Sequence, residues 1–254
     1  MHNCLLLGNG GREAIMAEEI SKGCSLFSIL PYKNETIIKA VEKSGGTYLI
    51  GSPFDKEKVK EFIKQQKINL CIISSDNLLE AGLIDVAKEA GVSTFGPTKK
   101  GAKIEWSKSY ALDVVEKLAP EMIVKNYNIT KTSEFAKIYE IYKDTEFVVK
   151  PDGLTAGKGV KVGGVHFKTK DEGFDYAKKC LSEGANVIIQ DKVEGYEFTV
   201  MGLTDGKNII TAPITYDYPY RFDDDLGPGT GGMGCVSLDS RFTAIFNQRG
   251  FRKM

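Results

Sequence analysis

The chain has 254 residues, 42% hydrophobic and 27% charged, a composition that can bury a core and solvate a surface. Lys+Arg and Asp+Glu both number 34, so the net charge is zero and nothing in the balance points to nucleic acid or a membrane surface as a partner. The five cysteines (Cys4, Cys24, Cys71, Cys180, Cys235) show no CxxC spacing and are expected as reduced thiols in or near the core, and two histidines are too few for a His-based metal site.

The start, MHNCLLLGNG, has no basic leader, and no apolar run approaches about 18 residues, so a soluble, cytoplasmic protein is expected. Residues 3–96 then alternate short apolar runs with amphipathic segments. CLLLG (4–8) reads as a strand, REAIMAEEISKG (12–23) as a helix closed by glycine, SLFSIL (25–30) as a strand, and ETIIKAVEKSGG (35–46) as a helix. TYLI (47–50) is a strand. In the helix DKEKVKEFIKQQK (55–67), Val59, Phe62 and Ile63 share one face and the lysines the other. INLCIIS (68–74) is nearly continuous in apolar residues, as in the middle of a parallel sheet; DNLLEAGLIDVAKEAG (76–91) is a helix and VSTFG (92–96) a strand. This rhythm predicts βαβ units with right-handed crossovers.

Residues 96–118 predict one longer helix, and a domain boundary falls near 98–120. Beyond it come a strand (MIVKNY, 122–127), a helix (133–143) and the strand EFVVK (146–150). A glycine-rich loop follows, then an alternating strand (158–167), a helix (171–184), and the strands NVIIQDKV (186–193), YEFTVMGL (196–203) and NIITAPI (208–214). The pattern is that of an α+β unit with antiparallel strands.

The loop lies in VVKPDGLTAGKGVKV (148–162). It is not a Walker A loop: three residues, not four, separate Gly153 from Gly157, Lys158 is followed by Gly159 rather than a hydroxyl, and the next element reads as a strand. It predicts a hairpin tip. Its glycines can turn backbone N–H groups inward as an anion nest, with Lys158 and Lys150 as phosphate partners; an ordinary turn with solvated lysines is the plainer alternative. GNGGRE (8–13) fails as a dinucleotide fingerprint, because Glu13 stands at the third glycine position and would crowd the helix–strand contact, and no acid follows the second strand. A strand-to-helix turn can still seat a phosphate, and Arg12 can pair with one bidentately, unless the turn is purely structural.

Together these segments resemble the ATP-grasp superfamily. VVKPDGLTAGKGVKV resembles its ATP-covering loop, NVIIQDKVEGYEFTV (186–200) its adenine-binding strand and hinge, and IEWSKSYA (104–111) the helix supplying an early lysine, Lys108. With GNGGRE and DDDLGPGTGGMG (223–234), the match from residue 1 to about 237 is similar to the phosphoribosylamine–glycine ligase (glycinamide ribonucleotide synthetase) family of purine synthesis. The resemblance implies an N-terminal Rossmann-like parallel sheet (pre-ATP-grasp, 1–98), a partial α+β ATP-grasp domain with the ATP-covering subdomain (99–238), and an off-pattern tail (239–254).

The resemblance also implies ATP, with Mg²⁺ (or Mn²⁺), and glycine and 5-phosphoribosylamine as small-molecule substrates, joined through glycyl phosphate. It assigns Lys108 and Lys150 to the phosphates, Gly157, Lys158 and Gly159 to the covering loop, Gln190, Asp191 and Val193 to the adenine, and Glu197 to the ribose. Gly231, Gly232 and Met233 would shape the glycine pocket with Arg221 beside them. Gly10, Gly11, Arg12, Glu13 and Asp76 would face phosphoribosylamine. Lys150, Lys158 and Arg221 are thus the candidate catalytic residues.

This sequence departs from the family at Ala14 (usually His), at Ser75-Asp76 (usually Pro-Glu), in GPGTGG (227–232; usually GPNTGG), and at Gln190, which replaces the first acid of a pair. The EFNxRFGDPE-type segment, whose Glu and Asn hold Mg²⁺ in the family, is missing, so no metal ligand is expected among these residues. A truncated product, weakly active or inactive alone, is the expectation. The alternatives are a nucleotide-binding module without turnover, or another ATP-grasp carboxylate–amine ligase.

Overall fold

The alternating pattern of residues 2–96 folds into a five-stranded, wholly parallel sheet in the order β3–β2–β1–β4–β5. In the computed structural model, residues 2–155, 159–195, 197–224 and 226–237 are described. One unit holds the residues through Ile123 together with Asp152–Leu154; the other holds Val124–Pro151 and the residues from Thr155 onward.

In the first unit the chain runs β1 (His2–Leu7), α1 (Gly11–Ile20), β2 (Cys24–Leu30), α2 (Glu35–Lys43), β3 (Tyr48–Ile50), α3 (Lys56–Gln65) and β4 (Leu70–Ile73). It continues with α4 (Asp76–Ala81), α5 (Leu83–Glu89), β5 (Ser93–Phe95), α6 (Lys99–Trp106) and α7 (Lys108–Leu118). Helices cover both faces, which is why the inner strands are dominated by buried apolar residues, Ser28 excepted. On β1, Leu5 and Leu7 join Ile29, Ile73 and the buried faces of α3 and α5, while Leu6 turns to Leu26, Leu30, Ala17, Ile37 and Val41 on the other side.

Two predicted helices are each broken in two. Gly82 takes a left-handed conformation (φ 82°) that ends α4 and starts α5, a geometry that costs glycine least. Ser107 is extended (φ −120°, ψ 104°) between α6 and α7, and its hydroxyl caps the latter by accepting the Tyr110 N–H at 3.3 Å.

The second unit begins with β6 (Asn126–Ile129), α8 (Phe135–Ile141), β7 (Phe147–Pro151), β8 (Lys161–Val162), α9 (Lys170–Ser182) and β9 (Val187–Asp191). Its four-stranded antiparallel sheet has the order β6–β9–β7–β8. The first strand starts later than predicted because Pro120 opens a 3₁₀ turn over Pro120–Met122. The strand predicted over 158–167 shrinks to Lys161–Val162 because the chain folds back: the N–H groups of Val165 and His166 both donate to the Val162 carbonyl. α8 and α9 bury Phe147, Val149, Val187 and Ile189 against Phe135, Tyr142 and Phe174.

Three short ladders complete the described residues: β10 (Gly202–Thr204) with β11 (Ile209–Thr211), β12 (Thr215–Asp217) with β15 (Cys235–Ser237), and β13 (Tyr220–Phe222) with β14 (Leu226–Gly229). The strand predicted over 196–203 is confined to its last residues and an isolated bridge, Thr199 to Thr215. Cys4, Cys71 and Cys180 are buried free thiols as expected, but Cys235 is exposed. Among the described residues no helix is long and apolar enough to cross a membrane.

Candidate functional site

In the first unit the strand order reverses between β1 and β4, and the carboxyl ends beside such a switch point are where open α/β sheets bind ligands. Gly10, Gly11, Arg12, Glu13 and Asp76 all lie there, at the start of α1 and α4. Gly10, Gly11 and Arg12 are exposed, and Arg12 Nη1 donates to the Ser74 carbonyl at 2.9 Å. Glu13, predicted to face substrate, is instead 5% exposed and engaged internally. Its Oε2 accepts the Gly10 N–H at 2.7 Å, the half of a capping box that a glycine N-cap can make, and its Oε1 accepts the Ser74 hydroxyl. The crowding foreseen at this position is absorbed by Gly8: a Cβ there would lie 2.6 Å from Glu13 Cγ, and its φ of 127° disfavours any other residue. Asn9 Nδ2 donates to the Tyr32 carbonyl at 3.2 Å, while Asn9 Oδ1 is buried without a hydrogen-bond partner.

The first unit also holds Lys108, the first residue of α7. Its Nζ donates to the Gly153 carbonyl at 2.6 Å, and burial lowers its pKa, an effect opposed by the Asp152 carboxylate. Asp152 was not singled out from sequence. It accepts the backbone N–H of Lys108 at 2.6 Å and the Ser109 hydroxyl at 2.5 Å.

In the second unit, β7 and β8 pair antiparallel with Val148 opposite Val162, so residues 152–160 join two strands of a hairpin, and the described ones among them are not helical. Gly159 is buried, and its carbonyl accepts the Tyr176 hydroxyl at 2.8 Å; Gly157 and Lys158 lie outside the described residues. Opposite the helix-covered face of the sheet, Val148, Lys150, Val162 and Gln190 line a cleft of about 1040 Å³. Asp191, Val193, Glu197, Arg221 and Gly231 line it too, whereas Gly232 and Met233 are exposed and do not. The Asp191 side chain is spent elsewhere: Oδ1 accepts the Tyr142 hydroxyl at 2.7 Å, from the opposite face of the sheet. Burial, then this bond, raises the Tyr142 pKa.

The sequence reading missed Val148, Val162 and His166 in the cleft wall. Val148 shares strand parity with Lys150, a signal that was available, and Val162 joins it through the β7–β8 register. His166 is brought in by the unforeseen fold-back: the Val162 N–H donates to its Nδ1 at 3.0 Å, and burial, followed by the Lys161 charge, lowers its pKa.

Comparison with known proteins decides the family. The model described as "Phosphoribosylglycinamide synthetase, N domain" matches residues 2–105, and that described as "Phosphoribosylglycinamide synthetase, ATP-grasp (A) domain" matches residues 106–250. The chain belongs to the phosphoribosylglycinamide synthetase family. The junction between the two synthetase domains falls within α6, and the second match runs into the 239–254 segment read from sequence as off-pattern. The phosphoribosylamine–glycine ligase of Pyrococcus furiosus is 32% identical over 261 residues, covering 100% of this chain and 57% of that protein. The crystal structure of the Thermotoga maritima phosphoribosylamine–glycine ligase matches with a TM-score of 0.70 and 25% identity, covering 97% of this chain and 59% of that one. An N5-carboxyaminoimidazole synthetase from Staphylococcus aureus, solved with ADP, shares the fold at 13% identity (TM-score 0.64; 85% of this chain, 54% of that one). The synthetase relatives are thus matched over little more than half their length, by a Rossmann-like parallel sheet followed by a partial ATP-grasp domain.

Proposed function

We propose that the chain is the nucleotide-binding portion of a cytoplasmic phosphoribosylamine–glycine ligase, acting on small molecules with neither nucleic acid nor membrane as partner. In this reading a glycine carboxylate oxygen attacks the γ-phosphorus of ATP, the bond to the β-phosphate oxygen breaks, and glycyl phosphate and ADP result. The amine of 5-phosphoribosylamine then attacks the acyl carbon, loses a proton and expels inorganic phosphate. No side-chain nucleophile is needed; the protein aligns the reactants and neutralises phosphoryl charge.

The cleft on the open face of the β6–β9–β7–β8 sheet carries the proposal. Its volume of about 1040 Å³ is ample for a nucleotide, its wall offers Val148 and Val162 to a base, and Lys150 stands on the same face two residues along β7. Lys108 and Lys150, with Gly157, Lys158 and Gly159, would hold the phosphates. The backbone of Val193 would read the adenine beside Gln190, and Glu197 would take the ribose hydroxyls. Arg221 and Gly231, which line the cleft, would receive glycine. At the switch point of the first unit, Gly10, Gly11, Arg12 and Asp76 would receive phosphoribosylamine.

Mg²⁺ (or Mn²⁺) would neutralise triphosphate charge. Among the described residues no group of three or more His, Cys, Asp or Glu is placed to hold a metal ion. A nucleotide-binding module without turnover is the second reading of the same cleft.

Fluorescent-nucleotide titration of the purified chain tests the first step. ATP is expected to bind, and Lys150→Ala to weaken binding about tenfold, as for a lost charge-assisted contact. No measurable binding by the wild type overturns both readings. Glycine-dependent ADP release separates them, since the module reading requires none.

A further inference from the structure

Among the described residues around the glycine-rich segment, the Asp152 carboxylate gathers five donors. Oδ1 accepts the backbone N–H groups of Lys108 (2.6 Å), Gly153 (3.1 Å) and Ser109 (3.3 Å). Oδ2 accepts the hydroxyls of Ser109 (2.5 Å) and Ser107 (3.4 Å). Lys108 Nζ closes the circuit on the Gly153 carbonyl at 2.6 Å. Oriented N–H groups and the helix dipole make the start of α7 a favourable seat for a carboxylate. Yet the helix already has its own cap, the Ser107 hydroxyl on the Tyr110 N–H. What Asp152 adds is a link between residues far apart in sequence, tying Lys108 to the first glycine of the loop.

We propose that Asp152 is a positioning residue for the phosphate end of the nucleotide: its carboxylate fixes the Lys108 ammonium against the start of the glycine-rich loop. The inference rests on the reading that Lys108 and this loop hold ATP phosphates. Binding then exchanges the Lys108 bond to the Gly153 carbonyl for one to a phosphate oxygen, while α7 and residues 152–153 stay joined through the carboxylate. The base and ribose, read elsewhere, do not depend on it.

The test is competition of ATP and of AMP against a fluorescent adenine nucleotide, on the whole 254-residue chain and on Asp152→Ala and Asp152→Asn. Emission from Trp106, the sole tryptophan, reports whether the first unit remains folded in each variant. Asp152→Ala is expected to lower the preference for ATP over AMP about tenfold, and Asp152→Asn, which keeps an Oδ1 acceptor, about threefold. Equal losses for ATP and AMP, or an unchanged preference in folded Asp152→Asn, overturn the proposal while leaving the nucleotide reading standing. A wild-type chain that binds neither nucleotide overturns that reading, and the proposal with it.

Discussion

Replacing Glu13 by alanine is expected to destabilise the first unit by about 3 kcal/mol. The figure follows from what the side chain touches. Glu13 is 5% exposed, and truncation removes a buried methylene packed over Gly8, about 0.8 kcal/mol before any cavity term. It also removes the carboxylate acceptor of the partly buried Ser74 hydroxyl, about 1.5 kcal/mol at the low end of the range for a charged partner. The bond from the Gly10 N–H adds about 0.5 kcal/mol, because Gly10 is exposed and water can take over.

Glu13→Gln behaves differently. It keeps the methylene and one carbonyl oxygen for the Gly10 N–H, and its amide N–H can donate to Ser74 Oγ once that hydroxyl rotates, so the expected cost is below about 1 kcal/mol. Urea unfolding followed through Trp106, which belongs to the same unit, measures both. The reasoning fails if Glu13→Ala unfolds within about 0.5 kcal/mol of wild type, or if the glutamine variant is as damaged as the alanine one; in the second case the negative charge, not the hydrogen-bond geometry, is what the site requires.

Tyr142→Phe should cost the second unit about 1–2 kcal/mol, because the part-buried Asp191 carboxylate loses a donor held at 2.7 Å; an unchanged thermal unfolding transition would argue that water replaces it fully. His166 has a folded pKa below its ordinary 6.5, so its share of stability is complete above that value. That share is lost as the pH falls from 6.5 through the folded pKa, and a His166→Asn chain should show a flatter stability profile there, which denaturant melts between pH 7.5 and 5 would test. Thiol titration with an aromatic disulfide under native conditions should label Cys235 first. Cys4 and Cys71, both buried with thiol pKa values pushed up to about 12, should react only on unfolding; early labelling of either would contradict the packing of β1 against β4.

The first unit was legible because its signals are local and repeat. Each apolar run between two amphipathic segments has one physical solution, a strand covered on both faces, and β1 through β5 follow it. What misled was continuity. Residues 76–91 and 96–118 carry helical periodicity from end to end, but periodicity says which face is buried, not whether the axis stays straight. Gly82 and Ser107 break it by means a hydrophobic pattern does not register. The hairpin after β7 was readable, since the alternation Val160, Val162 excludes a helix, but its fold-back at Val162 depends on hydrogen bonds to residues three and four positions ahead. The Asp152 network lay beyond reach for the opposite reason: its partners are separated by more than forty positions, and no local rule couples an aspartate before a loop to a distant helix start.

Asp191 marks a limit that strand geometry alone could have set. Neighbouring residues on a strand face opposite sides, so Gln190 and Asp191 cannot both direct their side chains at one nucleobase while β9 stays regular. By register Gln190 lies opposite Val148 on the cleft face, while Asp191 lies opposite Phe147 and reaches Tyr142 among the aromatic rings of the helix-covered side. In this chain the acid kept from the family's pair is therefore the one that holds the end of β9 to the core, and the substituted residue is the one exposed to the cleft. A carboxylate there could only accept hydrogen bonds, whereas the Gln190 amide can also donate. Under the proposed nucleotide reading, Gln190→Glu should for that reason alter which purine nucleotide the cleft prefers, and Asp191→Asn should alter stability before preference. Nucleotide competition with ATP and GTP, set beside unfolding of both variants, would expose the opposite assignment if the two effects came out exchanged.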